Sequence, residues 1–208
     1  MSIFTALGRG KKHQLALMWL YFFLVYVPFF FFMLARHDVR STSMSAIGWV
    51  TGGLFYLALY VALTVPFCLC LLFFFNRRFL QSKPLRALSC VAGFFITAGA
   101  FIPLRAPETD DWVSFAHTFV SVSGTVVLML CILAALAMHA IRQKGKRAAI
   151  SLCAIALYAF ALAKAFLLLW TAALYQLSAG ASFFLVLLVV SSVSSKHAPS
   201  PEHDKRMI

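Results

Sequence analysis

The chain has 208 residues, of which 62% are hydrophobic, and its mean hydropathy is +0.91. A soluble domain is about 45–50% apolar, and a globular fold of this size could not also hide 22 Phe side chains from water. Composition therefore excludes an ordinary soluble protein. The net charge of +12 is scattered over short segments without a soluble domain or an aromatic platform, which argues against nucleic-acid binding.

Long apolar stretches predict an all-α integral membrane protein, because about 20 apolar residues cross the hydrocarbon core as a helix. Strand-like alternation is absent from them. The six predicted transmembrane helices are Gln14–Ala35, Ala46–Phe75, Leu85–Leu104, Trp112–His139, Ala148–Trp170 and Leu174–Val193. They form one membrane domain over residues 14–193, preceded by a short segment, 1–13, and followed by a tail, 194–208, that we expect to be disordered.

The basic residues orient the predicted bundle. Fourteen of the 18 Lys and Arg residues precede the first span, follow the sixth, or lie between spans two and three and spans four and five. The other side holds three, Arg36, Arg40 and Arg105. The positive-inside rule predicts that both termini are cytoplasmic (N-in/C-in) in a multi-pass protein of the inner (plasma) membrane. Most of the positive charge then faces anionic lipid at the cytoplasmic surface.

The second predicted span carries a packing motif. Gly48 and Gly52 have the small-xxx-small spacing that lets two helix backbones approach closely.

A polar stripe follows one side of the fourth predicted span. Ser114, His117, Ser121 and Thr125 recur at helical spacing, starting near the outer surface. Lys164 lies in the fifth span, six residues or ~9 Å from Trp170 at the outer boundary. Charged groups within a membrane are costly and require a reason. The sequence therefore predicts an outward-facing pocket with these residues in its lining; its predicted members are His117, Lys164, Ser121 and Ser114, with Asp110 and Asp111 at the mouth.

Each of these residues has a simpler structural interpretation. Lys164 can extend its side chain to the outer headgroups or form an ion pair. His117 can be a hydrogen-bonded packing residue, and Asp110 and Asp111 can cap the fourth span.

Two other functional classes remain open. His37, Asp38 and His117 are ligand types for a divalent metal, which would suit a membrane hydrolase of a lipid or lipid-linked substrate. No HxxxH or HExxH spacing supports that site. The third class is an accessory or structural membrane subunit whose helix faces bind a partner. His117 and His139 are ~33 Å apart along one helix, which argues against a bis-histidine haem.

Three short segments resemble a known family. Residues 41–48 (STSMSAIG) open the second span, residues 99–103 (GAFIP) close the third, and His117 follows in the fourth. This order resembles the six-helix bacterial membrane family known as domain of unknown function 998. An extra residue separates Phe101 from Pro103, and the acidic position near the Ser/Gly segment is absent here. The resemblance implies a six-helix bundle with an outward-facing polar cluster around His117, and no established reaction.

The leading hypothesis is non-enzymatic. We expect a compact bundle that binds or translocates a small or lipid-like molecule through the outward-facing pocket, with the lipid bilayer as its partner and no cofactor. The sequence names no catalytic residue, and it leaves the ligand and the oligomeric state open.

Overall fold

The protein is an assembly of helices, described here by a computed structural model for residues 11–39, 42–104, 111–167 and 173–196. These residues contain no strand. The helices are α1 (Lys11–Tyr21), α2 (Val27–Arg36), α3 (Met44–Trp49), α4 (Leu54–Phe75), α5 (Lys83–Phe101), α6 (Trp112–Arg142), α7 (Lys146–Leu167) and α8 (Ala173–Lys196). Two π-helical turns join α1 to α2 at Phe22–Tyr26 and extend α4 at Asn76–Leu80.

Among the described residues, five helical segments are long and apolar enough to cross a membrane. They are His13–Arg36, Leu54–Leu80, Lys83–Phe101, Trp112–Arg142 and Ala173–Ser195, while the apolar part of α7 is shorter, Ala148–Phe160. Large apolar side chains cover the outside of the bundle; Phe55 is 72% exposed and Phe94 is 70% exposed. Such a surface is unfavourable in water and fits a bilayer. The predicted helical class is therefore confirmed, whereas six crossings and their orientation stay predictions.

Hydrogen bonds between helices define two ends of the bundle. At one end, Arg142 Nη1 donates to the Leu80 carbonyl at 2.7 Å, and Trp19 Nε1 donates to Ser192 Oγ at 3.0 Å. We call this the basic end, because it includes Asn76–Lys83 and Arg142–Lys146. At the other end, Trp49 Nε1 donates to the Ala100 carbonyl at 3.0 Å, and Leu174 N donates to the Val39 carbonyl at 2.8 Å. We call this the opposite end.

Helices α4 and α8 pack against each other and supply much of the core. Tyr26 of the first π-helical turn is fully buried beside them, and its hydroxyl donates to the Leu177 carbonyl at 2.9 Å. Its ring meets Phe184 edge to face, with centroids 4.8 Å apart. Gly180 makes room for this tyrosine, because a Cβ there would lie 2.5 Å from the Tyr26 hydroxyl.

The second predicted span, Ala46–Phe75, is not one continuous helix. It divides into α3 and α4 at a turn in which Gly52 has a φ of +77°, a conformation that side chains other than glycine adopt at a cost. Gly53 N donates to the Ile47 carbonyl at 2.9 Å and closes the turn. The predicted Gly48/Gly52 packing motif is therefore wrong, since the two glycines do not share a helix face. Gly48 instead lets α3 fold back onto Leu57 of α4.

Candidate functional site

A cavity of about 180 Å³ lies inside the bundle, nearer its opposite end. Helices α4, α6 and α8 form most of its wall, Ile96 and Ala100 of α5 and Tyr158 of α7 complete it, and α3 contributes Met44 and Ser45. The lining is mainly apolar. The polar residues in it, apart from Cys68 and Tyr158, are Ser45, Tyr60, Thr64, Ser121, Thr125 and Gln176.

Two hydroxyl groups in this lining stand out. The Thr64 and Ser121 oxygens are buried, and neither has a hydrogen-bond partner among the described residues. A buried hydroxyl without a partner costs about 1–3 kcal/mol, so such groups normally find one in protein, water or ligand. Thr125, one turn beyond Ser121, differs because its hydroxyl donates to the Ser121 carbonyl at 2.8 Å.

Glycines hold the wall formed by α5 and α6 in place. A Cβ on Gly124 would lie 2.7 Å from the Ile96 backbone nitrogen and 3.0 Å from the Ala92 carbonyl oxygen. A Cβ on Gly99 would be closest to the Ser121 hydroxyl oxygen and would lie 2.7 Å from the Ser121 nitrogen, so the Ser121 hydroxyl is next to Gly99. The two helices are therefore in backbone contact at these points, which fixes where Ser121 meets the cavity.

The short helix α3 closes the cavity on the side that faces the opposite end of the bundle. Ser43 caps its first turn by accepting a hydrogen bond from Ala46 N at 3.0 Å. Met44 N donates to Gln176 Oε1 at 3.2 Å, which ties α3 to α8 through a side chain that itself lines the cavity. Met44 and Ile47 are buried and attach the helix to the core.

The predicted pocket residues are placed as follows. Ser121 lines the cavity. His117 does not belong to that lining; it is 3% exposed, and its Nδ1 lies 2.7 Å from the Ile102 carbonyl oxygen at the end of α5. Ser114 lies one turn earlier, where its carbonyl accepts a hydrogen bond from Thr118 at 3.0 Å. His117 thus occupies the α5–α6 contact, with Ser121 one turn deeper in the bundle.

Of the three charged residues of the predicted pocket, the structure describes the side chain of Asp111. Asp111 is the N-cap of α6, and its carboxylate accepts a hydrogen bond from Val113 N. Asp110 lies outside the described residues. Lys164 lies in α7, and its side chain falls outside the described part of the structure.

The residues of the metal alternative do not converge. His37 ends α2, where its ring packs against Tyr56 with centroids 4.8 Å apart, while His117 lies against α5. Among the described residues, no three His, Cys, Asp or Glu side chains form a group that could hold a metal ion. The geometry gives the proposed His37, Asp38 and His117 site no support.

Sequence reasoning missed a polar cluster at the basic end. His139 of α6 is 1% exposed; its Nδ1 lies 2.9 Å from Ser151 Oγ of α7, and its Nε2 lies 3.2 Å from Ser194 Oγ of α8. Phe75 and Phe79 pack against its ring at centroid distances of 5.2 and 5.0 Å. The cluster joins three helices. Ser151 lies in an apolar run and Ser194 lies where the tail was predicted to begin, so no local sequence pattern predicts the cluster.

Comparison of the chain with protein-family models, with curated proteins and with solved structures finds no match. The resemblance to domain of unknown function 998 stays a prediction.

Proposed function

We propose that the protein binds a small, mainly apolar molecule with one hydrogen-bonding group in the cavity between α4, α6 and α8. The hydroxyls of Thr64 and Ser121 carry this proposal, because they are buried polar groups that have no protein partner among the described residues and belong to a mainly apolar lining. A bound hydroxyl, carbonyl or amide would satisfy one or both of them.

The size of the cavity limits the ligand. A designed apolar cavity of roughly 150 Å³ in another protein accommodates benzene. The cavity here is about 180 Å³, so it suits a single ring or a short branched chain rather than a whole two-chain lipid. A larger molecule would have to leave part of itself outside.

We infer further that the bundle crosses an inner membrane six times, with its basic end in the cytoplasm. The distribution of Lys and Arg supports this orientation, because 14 of them fall in the predicted cytoplasmic segments and three in the segments on the other side. In that orientation the cavity lies in the outer half of the membrane. Lys164 stays a predicted lining residue of the pocket, and Asp110 stays a predicted residue of its mouth.

The experiment compares two ligands of equal size, cyclohexanol and methylcyclohexane, by thermal unfolding of purified protein in a neutral detergent. At about tenfold above its dissociation constant, a ligand adds about 1.4 kcal/mol of stability, which is a shift of a few degrees. We expect cyclohexanol to give the larger shift, because only its hydroxyl can pair with Thr64 or Ser121.

A filled cavity provides the decisive control. Ala179 lines the cavity, so Ala179→Phe should abolish both shifts. Ala134 is exposed on α6, so Ala134→Phe adds the same ring on the outside and should preserve them. Equal shifts in wild type and Ala179→Phe would mean that the cyclic probes act on the detergent or the surface, and the proposal would fail.

A further inference from the structure

A second pocket lies at the basic end, between the end of α4 and the start of α5, with a volume of about 410 Å³. Its lining combines three cations, Arg77, Lys83 and Arg86, with the apolar or weakly polar side chains Phe73, Ala87 and Cys90. The described residues that line it are all different from those that line the central cavity.

Two neighbouring cations, Arg78 and Arg142, are engaged with other parts of the protein. Arg142 donates to the carbonyls of Phe79 and Leu80, and the guanidinium of Arg78 lies 5.7 Å from the centre of the Phe79 ring. No comparable protein contact is found for Arg77, Lys83 or Arg86 within the described residues. Their positive charge points to an external anion.

Acidic residues are remote from this pocket in the described part of the chain. Asp38 follows α2 and Asp111 begins α6, and both lie at the opposite end. Arg77, Lys83 and Arg86 are all exposed, so they can meet a ligand without rearrangement of the core.

The apolar side of the pocket continues along α5. Cys90 is one turn beyond Arg86, and Phe94, 70% exposed, is one turn beyond Cys90 on the same face. From Lys83 to Phe94 this face is ~16 Å long at helical rise, close to the ~15 Å thickness of one leaflet of hydrocarbon. Cations at the end of an apolar face of this length match a phosphate headgroup with its acyl chain.

We propose that the pocket formed by Arg77, Lys83 and Arg86 is a binding site for an anionic phospholipid, whose phosphate lies among the three cations and whose acyl chain follows Phe73, Cys90 and Phe94. Basic pockets between membrane helices bind lipid phosphates through the same combination of charge and apolar surface. The site is independent of the central cavity, and its test does not depend on the ligand proposed there.

The first test measures lipid binding by native mass spectrometry of protein titrated with dioleoyl phosphatidylglycerol or dioleoyl phosphatidylcholine. We expect wild type to prefer phosphatidylglycerol. The double variant Lys83→Gln/Arg86→Gln should weaken that binding on the order of 30-fold. This figure assumes that each lost cation contributes as much binding free energy as one Lys or Arg at an anionic membrane surface. The double variant Lys144→Gln/Lys146→Gln removes the same charge from the exposed α6–α7 connection and should retain the preference. Equal binding of both lipids to wild type, or equal loss in both variants, would overturn the proposal.

The second test uses unmodified protein, so it does not depend on a variant that folds. Cys90 lines the pocket, whereas the exposed Cys153 lies on α7, which supplies none of the residues of its lining. Phosphatidylglycerol should slow the reaction of Cys90 with N-ethylmaleimide more than phosphatidylcholine does, with Cys153 unaffected by the choice of lipid. Equal protection of the two thiols would contradict the site. If glycerol 3-phosphate alone protects Cys90 equally well, the ligand is a free phosphate and the phospholipid assignment is wrong.

Discussion

The two buried histidines of α6 have the same side chain but different hydrogen-bond partners. His117 pairs one ring nitrogen with a backbone carbonyl of the preceding helix, whereas His139 places both nitrogens near serine hydroxyls from two later helices. A serine hydroxyl can donate or accept, so the two serines can satisfy either tautomer of His139. His139 is therefore the more extensively connected residue.

Replacement of His139 tests this connection. His139→Ala leaves the Ser151 and Ser194 hydroxyls without the imidazole and removes the ring between Phe75 and Phe79. We expect a loss of about 2–4 kcal/mol in unfolding free energy, measured by denaturant titration in detergent. His13→Ala is the matched control, because His13 is exposed on α1 and should change stability by less than about 0.5 kcal/mol. Similar losses in both would refute the bridging role.

The second prediction concerns the hydroxyl of Thr64, whose removal should not lower the free energy of unfolding. Thr64→Val removes a polar atom that pairs with nothing in the described protein, so the ligand-free protein should be unchanged or up to about 1 kcal/mol more stable. Thr97→Val is the control, since the Thr97 hydroxyl donates to the Gly93 carbonyl at 2.9 Å and its loss should cost about 1 kcal/mol. Thermal unfolding without added ligand distinguishes the two; a clear loss in Thr64→Val would show that its hydroxyl is satisfied.

Among the helix pairs, α5 and α6 bring their backbones into contact, and glycines lie at the points of contact. Gly99 and Gly124 face backbone atoms across this contact, while Gly93 faces only the side chains of Leu69 and Val65. Backbone cannot move aside locally, but the end of a leucine side chain can. The three glycines should therefore tolerate an added methyl group very differently.

Alanine substitution measures that difference. Gly124→Ala should separate α5 from α6 and cost about 1–3 kcal/mol, as overpacking typically does. Gly93→Ala, whose Cβ would lie 2.9 Å from the mobile Cδ1 of Leu69, should cost less than about 1 kcal/mol. Both are read from unfolding curves in the same detergent. Equal costs would mean that the α5–α6 contact yields more readily than its geometry indicates.

For the whole molecule, the main open prediction is orientation. Lys144 is exposed between α6 and α7 at the basic end, and Thr51 is exposed in the α3–α4 turn at the opposite end. If the basic end is cytoplasmic, a membrane-impermeant maleimide should label Thr51→Cys in intact cells and Lys144→Cys only after the membrane is opened. The parent protein, with its cysteines inside helices, gives the background. Labelling in the reverse order would invert the proposed topology.

Hydropathy predicted the long helices closely because lipid exposure requires long apolar stretches whatever their packing. The start of α6 at Trp112 coincides with the start of the fourth predicted span, and the end of α2 at Arg36 differs by one residue from the end of the first predicted span. The division at Gly52 was missed because Val50 and Leu54 continue the apolar run, and a positive φ leaves no trace in hydropathy. The polar stripe on α6 predicted an outward-facing pocket, which stays a prediction; of its residues, Ser121 and Thr125 line the central cavity, whereas His117 lies against α5. Thr64 and Gln176 could not be predicted as its partners, since each is a lone polar residue whose direction depends on how α4 and α8 pack.

Hydrogen bonds join the helices at both ends of the bundle, and the central cavity lies between them. His139 and Arg142 make these bonds at the basic end, and Trp49 and Gln176 make them at the opposite end. Hydrogen bonds also cross the bundle beside the cavity, where the Tyr26 hydroxyl donates to the Leu177 carbonyl and the Tyr21 hydroxyl to the Leu63 carbonyl, both at 2.9 Å. We therefore expect the interior to keep its volume when it is empty, so that a ligand enters a preformed space and the solvent-facing loops report little of its binding.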